Sequence, residues 1–286
     1  MSIKSVLIPI ADAKAVGSGL VLALTLAQRL EARLSVMFPS PDLGARLPLL
    51  ADVTAAGVAD RLIAAMEEDA ARRAEQTRGA VEAVCAAHGA RPVETFTGSG
   101  FAVRYLAAAG TEENLTARLG RVHDLVVVPH PRSDDPALTP LLGAALLETG
   151  RPVLIAPARA PERFATRAVV AWNGSIEAAR ALSAAAELIE TKARISIVTV
   201  GESGPPAPSP EDAVTYLAAH GYAAEVKRLS AGGPAIAEAL LGEVDRQDAD
   251  LLVLGAYSHS RLRETILGGV TRDILANLEV PVLMAH

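Results

Sequence analysis

The chain has 286 residues, half of them hydrophobic, and its 27 Lys and Arg against 33 Asp and Glu give a formal net charge of −6. That balance excludes a general nucleic-acid surface, and no basic run is long enough to track a phosphate backbone. Aromatics make up only 3%, so two cores of ordinary size must be built from Ala, Val, Leu and Ile, which suits parallel strands covered by alanine-rich helices.

The apolar run SIKSVLIPI after Met1 is too short for a secretory leader or a membrane span, so a cytoplasmic protein without membrane association is expected. Cys85 is the single cysteine. It rules out an internal disulfide and a cysteine metal cluster, and its alanine-rich helical surroundings suit a small core residue.

Lys4 to Ile10 is a short β-rich run, and Gly17 to Leu30 follows with helical spacing of Leu20, Leu24 and Ala27. Arg33 to Phe38 (RLSVMF) is the next strand; Pro39, Pro41, Gly44 and Pro48 mark a loop, and Asp52 to His88 is a long helical region. Pro92 to Phe96 is expected as a third strand, Phe101 to Leu119 as a helix, and Leu125 to Val128 as a fourth strand. Pro136 to Glu148 is expected as the last helix of the half and Pro152 to Ala156 as its closing strand. Strands alternating with helices imply βαβ crossovers and a parallel sheet.

After the linker Pro157 to Pro161 the order starts again. Ala168 to Trp172 is a strand, Asn173-Gly174-Ser175 caps the helix Ile176 to Ile189, and Arg194 to Val200 (RISIVTV) repeats RLSVMF. A Pro, Gly and Ser-rich loop, Gly201 to Pro210, leads to a helix around Asp212 to Ala219. Glu225 to Leu229 is a strand, Pro234 to Arg246 a helix, and Asp250 to Leu254 and Pro281 to Ala285 are strands. ADLLVL before Gly255 mirrors HDLVVV before Pro129, and VPVLMA mirrors RPVLIA. Three agreeing segments in one order make an internal duplication. The fold expected is α/β: two tandem doubly wound domains, 1–158 and 166–286, each a five-stranded parallel sheet flanked by helices. The two sheets are expected to be separate and paired through the apolar closing strands at Pro152 and Pro281.

Function concentrates in Asp250 to Thr271, DLLVLGAYSHSRLRETILGGVT. A buried strand that ends in a glycine and leads through a polar loop to a helix starting near Gly268-Gly269 can hold an anion. Glycine permits close backbone approach, and free helix-start amides favour negative charge. Arg261, Arg263 and Arg272 carry three guanidinium groups around the same turn. The bland alternative is a plain turn with a solvated arginine face.

The chain resembles the universal stress proteins in their tandem two-domain form. The resemblance is most specific where the family's Gly-x-x-Gly, nine residues, Gly-Ser/Thr loop is approached by Gly255-Ala-Tyr-Ser258, nine residues, Gly268-Gly269. It implies the adenine nucleotide alpha hydrolase-like fold and ATP or another adenine nucleotide as ligand, with Mg2+ undecided. Carried over, Gly255, Ser258, Gly268, Gly269 and Val270 would line phosphate and ribose, Asn173 would contact the nucleotide, and Val200 would lie beside adenine. Ala171, Leu254 and Thr271 would complete the site. Ser258 stands where the family has glycine, Gly269 where it has Ser or Thr, and Asn173 where it has Asp. In the first half Pro129 takes the place of Gly255, Ala11 that of Asn173, and the glycine loop is missing, so a degenerate nucleotide site is expected there.

Other candidates are weaker. His130 and His259 follow equivalent strands without a second ligand at metal spacing, and solvated loop residues are expected. Ser99, between Gly98 and Gly100, has no nucleophile elbow around it and is expected to cap a helix, as are Asp134 and Asp135. No GxxxxGK[ST] run occurs, which excludes a P-loop NTPase. A noncatalytic, nucleotide-binding stress protein is therefore the leading reading. The alternatives are a slow ATP-hydrolysing enzyme and an interaction module without ligand; a homodimer is compatible with each.

Overall fold

The structure is a computed structural model that describes residues 2–40, 58–130, 138–201, 208–230, 236–256, 269–277 and 279–286. In chain order its N-terminal half contains β1 (Ser5–Pro9), α1 (Ser18–Arg29), β2 (Arg33–Ser40), α2 (Val58–Ala87), β3 (Pro92–Val93), β4 (Ala102–Ala109), α3 (Glu112–Gly120), β5 (Leu125–Val128), α4 (Leu138–Glu148) and β6 (Val153–Ile155). The C-terminal half contains β7 (Arg167–Ala171), α5 (Ile176–Ala186), β8 (Arg194–Val200), α6 (Pro210–Ala219), β9 (Ala224–Leu229), α7 (Ile236–Gln247), β10 (Leu251–Gly255), α8 (Gly269–Ala276) and β11 (Val282–Ala285).

The strands form one sheet in the order β3-β4-β2-β1-β5-β6-β11-β10-β7-β8-β9. Each half repeats the same spatial order, β4-β2-β1-β5-β6 and β9-β8-β7-β10-β11, with β3 added at one outer edge. The expectation of two separate sheets is corrected here. β6 and β11 pair antiparallel, Val282 with Ile155, Leu283 with Leu154 and Met284 with Val153, and fuse the halves into an eleven-stranded sheet. All six of these side chains are fully buried. An unpaired edge there would leave backbone amides and carbonyls without partners inside the core, and the mutual pairing satisfies them.

A second correction concerns Phe101 to Leu119. Its alanine-rich run AVRYLAAA has good helix propensity, yet it forms β4, in parallel register with β2 from Arg33–Ala102 to Ser40–Ala109. Pairing along all eight residues overrides propensity. Gly110 at φ +140 then breaks the strand, and Thr111 caps α3 by accepting a hydrogen bond from the Asn114 amide. Ser99 therefore precedes a strand rather than capping a helix. Asp134 and Asp135 lie outside the described residues.

Helices cover both faces. Residues of α1, α2, α5 and α6 join one apolar cluster, and residues of α3, α4, α7 and α8 the other. Strand alternation divides the sheet between them: Val6 and Ile8 face the first cluster and Leu7 the second. Cys85 is wholly buried in the first, where burial pushes its thiol up to about 11 and keeps it protonated.

The duplication extends to polar contacts. Asp124 Oδ2 accepts from the Lys4 and Ser5 amides, both at 2.9 Å, and from Ser5 Oγ at 3.0 Å. At the equivalent place Asp250 Oδ1 accepts from the amides of Thr166 (2.9 Å) and Arg167 (2.8 Å), and its Oδ2 takes the Thr166 hydroxyl. Asp124 thus fastens β1 to β5, and Asp250 fastens β7 to β10.

Candidate functional site

In each half the direction of winding reverses between two neighbouring strands, β1 and β5 in one, β7 and β10 in the other. Ligands of open α/β sheets bind at such switch points, at the carboxyl ends of the strands. In the C-terminal half Ala171 ends β7, Val200 ends β8 and Gly255 ends β10. Ala171, Val200, Leu254 and Val270 share the apolar cluster on the α7/α8 side of the sheet, all half-buried except Leu254, which is buried. Leu229, the register partner of Val200 at the end of β9, joins them. Leu229 was missed in the sequence; the signal was its alignment with Val200 across the β8–β9 pair, which only the register reveals.

The chain leaving β7 makes a tight turn into α5. Asn173 Oδ1 accepts the Ser175 amide at 3.1 Å, Gly174 sits at φ +73, and Ser175 Oγ caps the helix by accepting the Ala178 amide at 3.1 Å. The carbonyl oxygen of Asn173 thus holds the turn. Trp172, buried behind it, donates its indole N–H to the Pro208 carbonyl at 3.0 Å and ties the entry to α6 against β7.

Gly255 has a structural reason of its own. A Cβ there would lie 2.5 Å from Ala178 N and 2.8 Å from the Glu177 carbonyl carbon, so the strand end and the first turn of α5 meet backbone to backbone. With Glu177 in its first turn and Ser175 capping it, α5 satisfies its own positive end. The first turn of α8 has no acidic residue. Its opening residues are Gly269, Val270 and the buried Thr271. Ser258 and Gly268 lie outside the described residues, together with Arg261, Arg263 and His259; Arg272 is exposed.

Two cavities lie elsewhere. One, of about 580 Å³, opens between α7 and α8 over Leu241, Val244 and Leu252 and is rimmed by Glu238, Asp245 and Asp273, an acidic setting that disfavours phosphate. The other, of about 490 Å³, lies at the strand ends of the N-terminal half between Phe38, Pro39 and α2, with Ala11 in its wall. His130 is half-buried after β5. No group of three or more His, Cys, Asp or Glu side chains able to hold a metal occurs among the described residues, and none of the helices described is long and apolar enough to cross a membrane.

The sequence model of the universal stress protein family matches residues 165–286. A search of curated proteins finds no match. Among solved structures, a universal stress protein from Archaeoglobus fulgidus is similar over 98% of this chain and 97% of its own, at 15% identity and a TM-score of 0.66. A functionally unknown protein from Pseudomonas aeruginosa is similar over 98% and 92%, at 17% identity and a TM-score of 0.55. A universal stress protein in complex with cAMP is similar over 42% of this chain and 97% of its own, at 20% identity and a TM-score of 0.32. Residues 165–286 thus form a universal stress protein domain, set in a full-length α/β fold shared with solved universal stress protein structures.

Proposed function

We propose that the C-terminal half binds an adenine nucleotide, ATP or a shorter relative, in the crevice between β7 and β10, and that the chain acts as a noncatalytic stress protein of the cytoplasm. The carrying observation is that Ala171, Val200 and Leu229 end β7, β8 and β9 and, like Val270, pack half-buried against the apolar cluster on one face of the sheet. A purine needs such a flat apolar surface, and its phosphates would reach the start of α8, where backbone amides are offered without an acidic neighbour in the first turn. The proposal concerns nucleotide alone, without a resident metal. The N-terminal half, with Pro129 in place of Gly255, serves as partner in the sheet rather than as a second nucleotide site.

The test is isothermal titration with ATP, ADP and AMP, with a phosphate-release assay beside it. Wild type is expected to bind at least one nucleotide saturably and release no phosphate. Val200→Glu, which puts a carboxylate where the base would rest, should weaken binding roughly tenfold or more with circular dichroism unchanged. Absence of binding at millimolar nucleotide, or equal binding by the variant, would overturn the reading; steady phosphate release would make the protein an enzyme.

A further inference from the structure

The most unequal pair of equivalent positions in the duplicated fold lies at the other end of the strands. Ser35 on β2 is in register with Arg104 on β4, and Ser196 on β8 with Glu225 on β9. Both serines are buried, at 1% and 2% exposure, and both are bonded to these neighbours. Ser196 Oγ donates to Gln247 Oε1 at 2.7 Å and lies 3.1 Å from Glu225 Oε1, whose charge is answered by Lys227 Nζ at 2.9 Å. The charge beside Ser196 is thus answered within the C-terminal half.

The surroundings of Ser35 in the N-terminal half differ. Arg104 Nη2 donates to Ser35 Oγ at 3.3 Å, and His123 Nε2 lies 3.1 Å from the same oxygen. Arg33, two residues before Ser35 on the same side of β2, brings a second guanidinium. Both pack on the ring of Phe96, with guanidinium carbons 5.4 Å (Arg33) and 4.7 Å (Arg104) from its centroid, so they stand no further apart than those two distances together. Arg33 Nη2 donates to the Gly98 carbonyl. Among the described residues neither arginine has a carboxylate partner: Asp124 is occupied by the Lys4 and Ser5 donors, and exposed Glu94 makes no ion pair. Arg104 Nε is buried and has no hydrogen-bond partner.

A buried charged donor without an acceptor is costly, and two unanswered guanidinium groups beside one ring repel each other. Cation–π contact with Phe96 offsets part of that and holds both groups half-exposed and oriented. We propose that the half-exposed guanidinium groups of Arg33 and Arg104, held together over the Phe96 ring, form a binding site for a small oxyanion, a carboxylate or a phosphate, which supplies the counter-charge the pair lacks. A guanidinium fork matches both anions bidentately. This site lies at the amino-terminal ends of β2 and β4 in the N-terminal half, whereas the nucleotide crevice is formed by β7 and β10 of the C-terminal half, and it does not depend on that reading.

The probes are inorganic phosphate and acetate, titrated separately into the full chain in chloride buffer, with the Arg104 Nε–H signal followed by nitrogen-15 NMR. At least one anion should bind saturably and shift that signal; response to phosphate alone assigns a phosphoryl ligand, and response to acetate a carboxylate one. Arg104→Gln should weaken binding roughly tenfold or more. Arg33→Gln, at a half-exposed strand start, should weaken it too and serves if the first variant does not fold. Val200→Glu should leave it unchanged. The proposal is overturned if neither anion binds at tens of millimolar, if the Nε–H signal does not move, or if the arginine variants bind as wild type does.

Discussion

A Cβ at Gly255 would stand 2.5 Å from the backbone nitrogen of Ala178, so the end of β10 and the start of α5 approach as closely as two backbones can. The N-terminal half makes the same junction with the glycine on the other partner: Gly19 in α1 faces Pro129 after β5, where an added Cβ would lie 3.1 Å from Pro129 Cα. Because a 3.1 Å approach is relieved by a small shift and a 2.5 Å approach is not, Gly255→Ala should destabilise by about 1–3 kcal/mol and Gly19→Ala by clearly less. Urea unfolding of the two variants measures the difference; equal costs would show that the junction yields at Gly255.

The aspartate fasteners predict a pair of losses. Asp250→Ala leaves the Thr166 and Arg167 amides without their acceptor and should cost on the order of 2–3 kcal/mol, with Asp124→Ala behaving alike at Lys4 and Ser5. Burial alone would raise the Asp124 pKa, but the hydrogen bonds from Lys4 and Ser5 outweigh it and hold the group below its usual 3.8. Its folded pKa being depressed, its stabilisation is complete above 3.8 and lost as pH falls below that value. Asp124→Asn should therefore flatten the acid limb of the stability curve.

His123 works in the same direction at higher pH. Burial, with the positive charges of Arg104 and Arg151, lowers its pKa below the usual 6.5 against the opposing Leu119 carbonyl. The folded state keeps the ring neutral while the unfolded chain takes up a proton below 6.5, so stability falls as pH drops from 6.5 towards the folded pKa. Denaturant midpoints from pH 7.5 to 5 should show this slope in wild type and not in His123→Gln.

Arg29 is a stitch between the halves. From α1 its Nη1 donates to the Phe164 carbonyl at 3.0 Å and its Nη2 to the Leu188 carbonyl at 2.5 Å, and its guanidinium lies 5.1 Å from the Phe164 ring centroid. Arg29→Met keeps the stem but leaves both carbonyls unanswered, and should cost about 1–3 kcal/mol. Proteolysis at Pro157 to Pro161 should become faster in this variant; an unchanged cleavage rate would show that Arg29 does not fasten the linker side.

Much of this was legible in the chain because its signals are local. Runs such as Leu125 to Val128 and Arg194 to Val200 are apolar and β-branched enough to be strands in any setting, and the repeated DL(L/V)V motif before Gly255 and Pro129 declares the duplication. The matching of Ala171, Asn173 and Val200 to the ends of β7 and β8 needed only strand order. What the sequence could not decide is what depends on distant partners. AVRYLAAA is a strand because β2 offers eight residues of hydrogen bonds, and propensity carries no information about that. β6 and β11 fuse two sheets into one because each supplies the other's missing edge, a pairing between residues more than a hundred apart. Gly255 is a packing residue, which the sequence does not reveal, since only the tertiary fold brings Ala178 against it. Arg104 stands without a counter-ion at the register position where the sister half has Glu225, whose charge Lys227 answers, and register is a property of the assembled sheet.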